Sequence, residues 1–185
     1  MRTDSEIYGL FLSGDTSAYN ELMVRYGDAL TYFLNGYLHN LADAEDLMVE
    51  AFARICVKRP KIAEGCFKAY LYKTARNLAT RFHFGKARAE VFSTDDLEVE
   101  PADPNTAETA LLDEERRRVL HTCLQRVKPQ VREALWLVYV DRLSYEDAAT
   151  VMKVNRKRID HLLQRGKATL RAELEKEGIT TPWDM

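Results

Sequence analysis

No stretch of this 185-residue chain alternates apolar and polar residues for long enough to make a strand. Its long segments instead repeat apolar residues every three or four positions. Helices patterned this way must bury their stripes against one another, so an all-α fold follows. One interval breaks the pattern. Residues 91–110 hold Asp95, Asp96, Glu98, Glu100, Asp103 and Glu108 with no Lys or Arg, beside Pro101 and Pro104. Such a segment repels itself and cannot build a core. We expect two small helical domains, residues 1–90 and 111–178, joined by a flexible acidic linker at 91–110, with a tail at 179–185. A linker of that length suggests a role of its own.

Charge and cysteines bound the function. A formal net charge of −2 and a pI near 6.1 argue against a protein that simply coats nucleic acid, but local basic clusters can still bind it. Nothing approaches the roughly 20 apolar residues of a membrane span, and residues 1–12 carry Asp4 and Glu6 where a signal peptide would be basic. Cys56, Cys66 and Cys123 form no CxxC pair and read as reduced, mostly buried thiols of a cytoplasmic protein. His39, His83, His121 and His161 lack ligand spacing, and no phosphate loop or nucleophile motif is present, so neither an enzyme nor a cofactor is expected.

In the first half, a short helix over about residues 5–12 with Asp4 as N-cap precedes one over 16–38 after Asp15. The stripe of the second includes Tyr19, Leu22, Met23, Tyr26, Leu30, Phe33 and Leu34. A third opens near Asp43, with Asp43, Glu45 and Asp46 in its first turn, where the helix dipole favours negative charge. Residues 58–65 form a connection carrying Pro60 and Gly65. A fourth helix, residues 67–84, buries Phe67, Tyr70, Leu71, Ala75, Leu78 and Phe82. Its other face mixes Lys68, Tyr72, Lys73, Arg76, Asn77 and Arg81. Cations, a flat ring and an amide are the groups that neutralise phosphates, stack on unpaired bases and bond base edges. A solvated surface with Tyr72 lying along it fits the helix alone equally well.

The second half begins with a helix over about 109–127. Pro129 fits the first turn of the next, which buries Val131, Leu135, Val138 and Trp136. After a turn at 141–143, Ser144 caps a short helix with Asp147 three residues on, and Asn155 caps a longer one. The longer helix buries Ile159, Leu163 or Leu162, Gly166, Leu170 and Leu174. Two helices joined by a three-residue turn, the second longer and basic, predict a helix-turn-helix inside a four-helix domain. Residues 128–171 hold ten Lys or Arg against five Asp or Glu, so this region is basic within an acidic chain.

In this order, DAEDLMVEAF (43–52), FKAYLYKTARNLATRF (67–82) and LSYEDAATVMKVNRKRIDHLLQRGKATL (143–170) resemble the motifs of bacterial RNA polymerase sigma factors of the sigma-70 family, extracytoplasmic-function (ECF) group. The resemblance implies a subunit that binds core RNA polymerase, recognises promoter DNA and directs opening and initiation. Asp43, Asp46, Leu47 and Glu50 would meet polymerase. Arg59, Lys61, Lys68, Tyr72, Lys73, Arg76, Asn77 and Arg81 would meet the −10 element as its strands part, with the loop 59–65 helping to hold an unpaired base. Asn155, Arg156, Lys157, Arg158, His161 and Arg165 would read the −35 element. The linker would thread through polymerase, and an anti-sigma factor would cover the binding surfaces. No membrane insertion is implied.

The chain departs from the family pattern at Val49, where Gln is usual, and at Lys153, where Gly is common in the turn. Arg156, Lys157 and Arg158 replace small and threonine residues at the start of the recognition helix, which implies a distinctive −35 sequence and strong salt dependence. An alternative function is a sigma-like interaction protein that sequesters an anti-sigma factor without binding DNA. A free-standing helix-turn-helix regulator fits the acidic total charge and the first domain poorly.

Overall fold

The computed structural model describes residues 2–89 and 126–176, with side chains through residue 82 in the first span. Every regular element among the described residues is helical, and the chain divides into two compact units. The linker, most of the helix expected over 109–127, Cys123 and the tail lie outside the described residues.

The first unit holds α1 (Asp4–Leu12), α2 (Thr16–Leu38), α3 (Leu41–Lys58) and α4 (Phe67–Ala89). Thr3, not Asp4, is the N-cap of α1. Its hydroxyl accepts the Glu6 N–H at 3.3 Å, while the Glu6 carboxylate accepts the Thr3 N–H at 2.7 Å. Asp4 is thereby free to reach α2, where it binds Arg25 at 2.6 Å and accepts the Tyr26 phenol. Asp15 caps α2, accepting the N–H groups of Ser17 and Ala18. His39 closes α2 in the left-handed region, and Asn40 caps α3 by accepting the Asp43 N–H at 3.1 Å. This cap starts α3 two residues before Asp43, so of the three expected carboxylates only Asp43 stands in its first turn.

Between the helices, Ile7, Phe11, Leu22, Leu30, Leu34, Phe52, Ile55, Phe67 and Leu71 are each less than 2 % exposed. At about 1.5–3 kcal/mol for each large apolar side chain, this shared interior fixes α4 against α1, α2 and α3. The Tyr19 phenol donates to the Phe52 carbonyl at 2.7 Å within it, and burial pushes that phenol well above its ordinary pKa. Cys56 is half-buried and Cys66 exposed, contrary to the expectation of buried thiols, because Cys66 ends the loop before α4.

The second unit holds α5 (Pro129–Leu135), a π-helical turn (Trp136–Val140), α6 (Tyr145–Met152) and α7 (Arg156–Lys176). The wider π turn advances less per residue, so Leu137 takes the interior position expected of Val138, which stays half-buried. On α7, both Leu162 and Leu163 are buried, together with Ile159, Gly166, Leu170 and Leu174. A Cβ on Gly166 would lie 2.8 Å from Val131 Cγ1 and 3.0 Å from Leu135 Cδ1. Only glycine lets α5 and α7 cross this closely. Among the described residues no helix is long and apolar enough to cross a membrane, and no His, Cys, Asp and Glu cluster could hold a metal.

Candidate nucleic-acid and polymerase interfaces

In the second unit, the capping expected from the sequence is in place. The Ser144 hydroxyl accepts the Asp147 N–H at 3.0 Å and donates to its carboxylate at 2.7 Å. Asn155 Oδ1 accepts the Arg158 N–H at 2.8 Å and so starts α7. Lys153 sits in the turn at φ 57°, the conformation that favours glycine, at a cost of about 1–2 kcal/mol. The buried Ala148 and Ala149 leave room for close packing of α6.

Asn155, Arg156, Lys157, Arg158, His161 and Arg165 are all exposed. Arg156 pairs with Glu146 of α6 at 3.1 Å, but both side chains are more than half exposed. Such a pair is worth little in water and can give way to a phosphate. The Arg158 guanidinium reaches Gln130 at 3.5 Å. Arg158, Leu162 and Arg165 line a shallow groove of about 300 Å³ with Lys128, Pro129, Gln130 and Val131. The sequence-based set therefore divides between this flank, with Arg158 and Arg165, and the neighbouring strip with Lys157 and His161. Lys128 joins the flank and was missed, because nothing in the sequence says that the start of α5 borders α7.

In the first unit, two expected −10 residues lie elsewhere. Tyr72 is fully buried, its ring 5.1 Å from that of Phe33, so it cannot stack on a base. Tyr70 is the half-exposed ring instead, on the side of α4 that carries Lys73 and Asn77. The spacing held the clue: Ala75 and Ala79 follow Tyr72 by three and seven residues, where only an interior ring packs over small side chains, whereas Lys73 and Asn77 follow Tyr70. Lys68 is half-buried with its ammonium over the Tyr26 and Tyr72 rings, 5.7 and 5.8 Å from their centroids, so it serves the packing of α4 on α2. Lys73, Arg76 and Asn77 are half-buried, and Arg81 is exposed. Thr74 and Thr80 turn their hydroxyls back on the Tyr70 and Arg76 carbonyls. Arg59 and Lys61 stand exposed on the loop before α4, Arg59 with φ 43°.

On α3, Leu47 is 7 % exposed and belongs to the core, not to a contact surface. Asp43 and Glu50 are half-buried and Asp46 is exposed. Glu50 accepts two bonds from Arg54, at 2.7 and 2.9 Å. The exposed side also includes Glu45, Val49 and Val57, the valines 51 % and 83 % exposed. A carboxylate face with uncovered valines suits a basic, partly apolar partner.

Residues 22–89 match Sigma-70 region 2, and residues 117–170 match Sigma-70, region 4. The chain is 29 % identical over 177 residues to the ECF RNA polymerase sigma factor SigE of Mycolicibacterium smegmatis, covering 91 % of this chain and 67 % of that protein. It is 27 % identical over 159 residues to the ECF RNA polymerase sigma-E factor of Escherichia coli, covering 81 % and 83 %. Its fold is shared with CnrH, solved in complex with the cytosolic domain of CnrY (TM-score 0.67, 19 % identity, 94 % of this chain and 97 % of that one). It is shared also with RpoE of Bartonella quintana, solved with the anti-sigma factor NepR (TM-score 0.66, 20 % identity, 85 % and 96 %). The chain belongs to the ECF group of the sigma-70 family of RNA polymerase sigma factors.

Proposed function

We propose that this sigma factor divides promoter recognition between α4 with its preceding loop and α7, and that α3 carries the contact with core polymerase. Membership of the family makes the chain a non-enzymatic subunit that directs polymerase to promoters and starts transcription. The assignment of residues is our reading, and the observation that carries it is the exposure of every predicted −35 residue on a capped helix-turn-helix. Arg158 and Arg165 can each grip a guanine by two bonds or a phosphate by one, and Lys128 extends that strip along the backbone.

At the −10 element, Arg59 and Lys61 on the loop and Lys73, Arg76, Asn77 and Arg81 on α4 offer cations and an amide, with Tyr70 as the ring for an unstacked base. Holding a base outside the stack offsets an unstacking cost of a few kcal/mol. Asp43, Asp46 and Glu50 with Val49 form the polymerase contact, where charge sets approach and orientation more than affinity. Domains over 1–90 and 111–178, a flexible acidic linker over 91–110 and the four-helix form of the second domain complete the proposed organisation. The protein works in the cytoplasm and is held inactive by an anti-sigma factor, in keeping with the structural neighbour solved with the anti-sigma factor NepR.

Selection of promoter DNA by reconstituted holoenzyme tests this. Asn77→Ala should impair strand opening with −35 duplex binding intact, and Arg165→Ala should weaken duplex binding. A protein that captures an anti-sigma factor but neither binds core polymerase nor selects any DNA would establish the sequestering alternative instead.

A further inference from the structure

The loop between α3 and α4 is fastened at both ends to α1, a helix that precedes the matched region 2 segment. At its start, the Tyr8 phenol donates to the Pro60 carbonyl at 2.9 Å, and the Arg59 guanidinium lies over the Phe11 ring, 4.9 Å from its centroid. At its end, the Gly65 N–H donates to the Ser5 hydroxyl at 2.9 Å. Both ends depend on left-handed backbone, with φ 43° at Arg59 and 73° at Gly65, so each fastening sits where the chain reverses. Between them Lys61 and Glu64 stay exposed and Ile62 half-exposed.

The helix that holds the loop is itself held. Asp4 is bound to Arg25 with both side chains 19 % exposed, and Tyr8 packs its ring 5.3 Å from that of Phe67, the first residue of α4. Ser5, Tyr8 and Phe11 recur at three-residue steps along one side of α1. Ser5 and Tyr8 each supply one polar group to loop backbone, and Phe11 supplies a ring. Tyr8 and Phe11 are 4 % and 1 % exposed, so the rings that meet the loop are themselves seated in the core of the first unit.

We propose that α1 is a positioning element for base selection: Ser5, Tyr8 and Phe11 hold the loop 59–65 in the shape that receives an unpaired −10 base. This rests on the reading of that loop as part of the −10 interface. Preorganisation of this kind raises discrimination, since a loop already in its bound shape loses less freedom on capturing the right base.

The test uses full-length protein carrying Ser5→Ala and Tyr8→Phe, which remove two hydrogen bonds and keep the Tyr8–Phe67 ring packing. The altered protein should bind core polymerase as the unaltered one does and lose no more stability than two modest hydrogen bonds supply. The preference of its holoenzyme for opening the selected −10 sequence over single-base variants should fall about tenfold, as expected for two modest bonds. Amide exchange at Gly65 should quicken while that of α2 and α3 stays unchanged. Unchanged base preference would overturn the proposal. So would a fall in core binding and melting temperature that matches the fall in opening, since α1 would then act only on stability. Lys61→Ala and Asn77→Ala, run alongside, separate the two readings: if neither alters opening, the −10 assignment itself fails.

Discussion

The two helices assigned to DNA, α4 and α7, carry similar chemistry and stand in opposite surroundings. α4 is packed by α1, α2 and α3; Lys68, Lys73 and Arg76 lie half-buried, Lys68 over the Tyr26 and Tyr72 rings. α7 crosses α5 at Gly166 and leaves Arg156, Lys157, Arg158, His161 and Arg165 in water. Intact duplex offers a groove about 12 Å wide and a dense phosphate charge, and a helix with its cations fully out can enter it. A strand that is being opened offers single bases, which need rings and amides held at fixed places. Exposure suits the first task and rigidity the second.

The sharpest way to break this contrast is to exchange the roles of the two tyrosines on α4. Tyr72→Ala should cost about 3–5 kcal/mol of first-domain stability, seen as a lowered unfolding transition by circular dichroism. Tyr70→Ala should leave that transition nearly in place and slow strand opening. If both substitutions behave alike, the division of α4 into an inner and an outer ring is wrong.

Next comes the crossing that frees α7. Gly166→Ala should destabilise the second domain by about 1–3 kcal/mol, although alanine is the better helix former. Gly36→Ala on α2, where nothing lies within 4 Å of an added Cβ, should stabilise by up to about 1 kcal/mol. Both tryptophans, Trp136 and Trp183, belong to the second half of the chain, so their fluorescence follows only the first of these changes.

Salt separates the helices more gently. Arg165→Ala should weaken −35 duplex binding by about 1–3 kcal/mol at a base contact, and the slope of log affinity against log salt should become shallower by roughly one if Arg165 meets a phosphate. Lys73→Ala should leave duplex binding and its slope unchanged.

The smallest effect is in alkali. Burial raises the phenol pKa of Tyr8, Tyr19 and Tyr26 in the first unit. An acid whose folded pKa exceeds its unfolded value contributes its full stability below the unfolded value, near 10 for tyrosine, and loses it as pH rises through the folded one. The first domain should therefore weaken above about pH 10, and because burial also raises the Tyr145 phenol of the second unit, Tyr19→Phe and Tyr26→Phe should blunt the loss in the first domain alone. A loss unchanged by those two substitutions would show that the phenols are not the cause.

The sequence alone determined the helical class, the acidic break between two units, and the caps at Ser144 and Asn155. These are local matters of period, composition and side-chain reach, and so were the exposed cations of α7, since a helix packed along one stripe leaves the rest in water. Tertiary structure decided which of Tyr70 and Tyr72 faces inward and that Leu47 belongs to the core. Each of those depends on neighbours distant in sequence: Phe33 beside Tyr72 and the shared interior around Leu47. The Thr3 cap of α1 is a different kind of miss, since Thr3 and Glu6 form a local capping box three residues apart. A helix buried on three sides has too wide a stripe for period to locate its edge, and one residue at that edge separates a base-stacking ring from a core ring. The fastening of the loop by Ser5, Tyr8 and Phe11 belongs to the same class, because 48 to 60 residues of chain separate the partners.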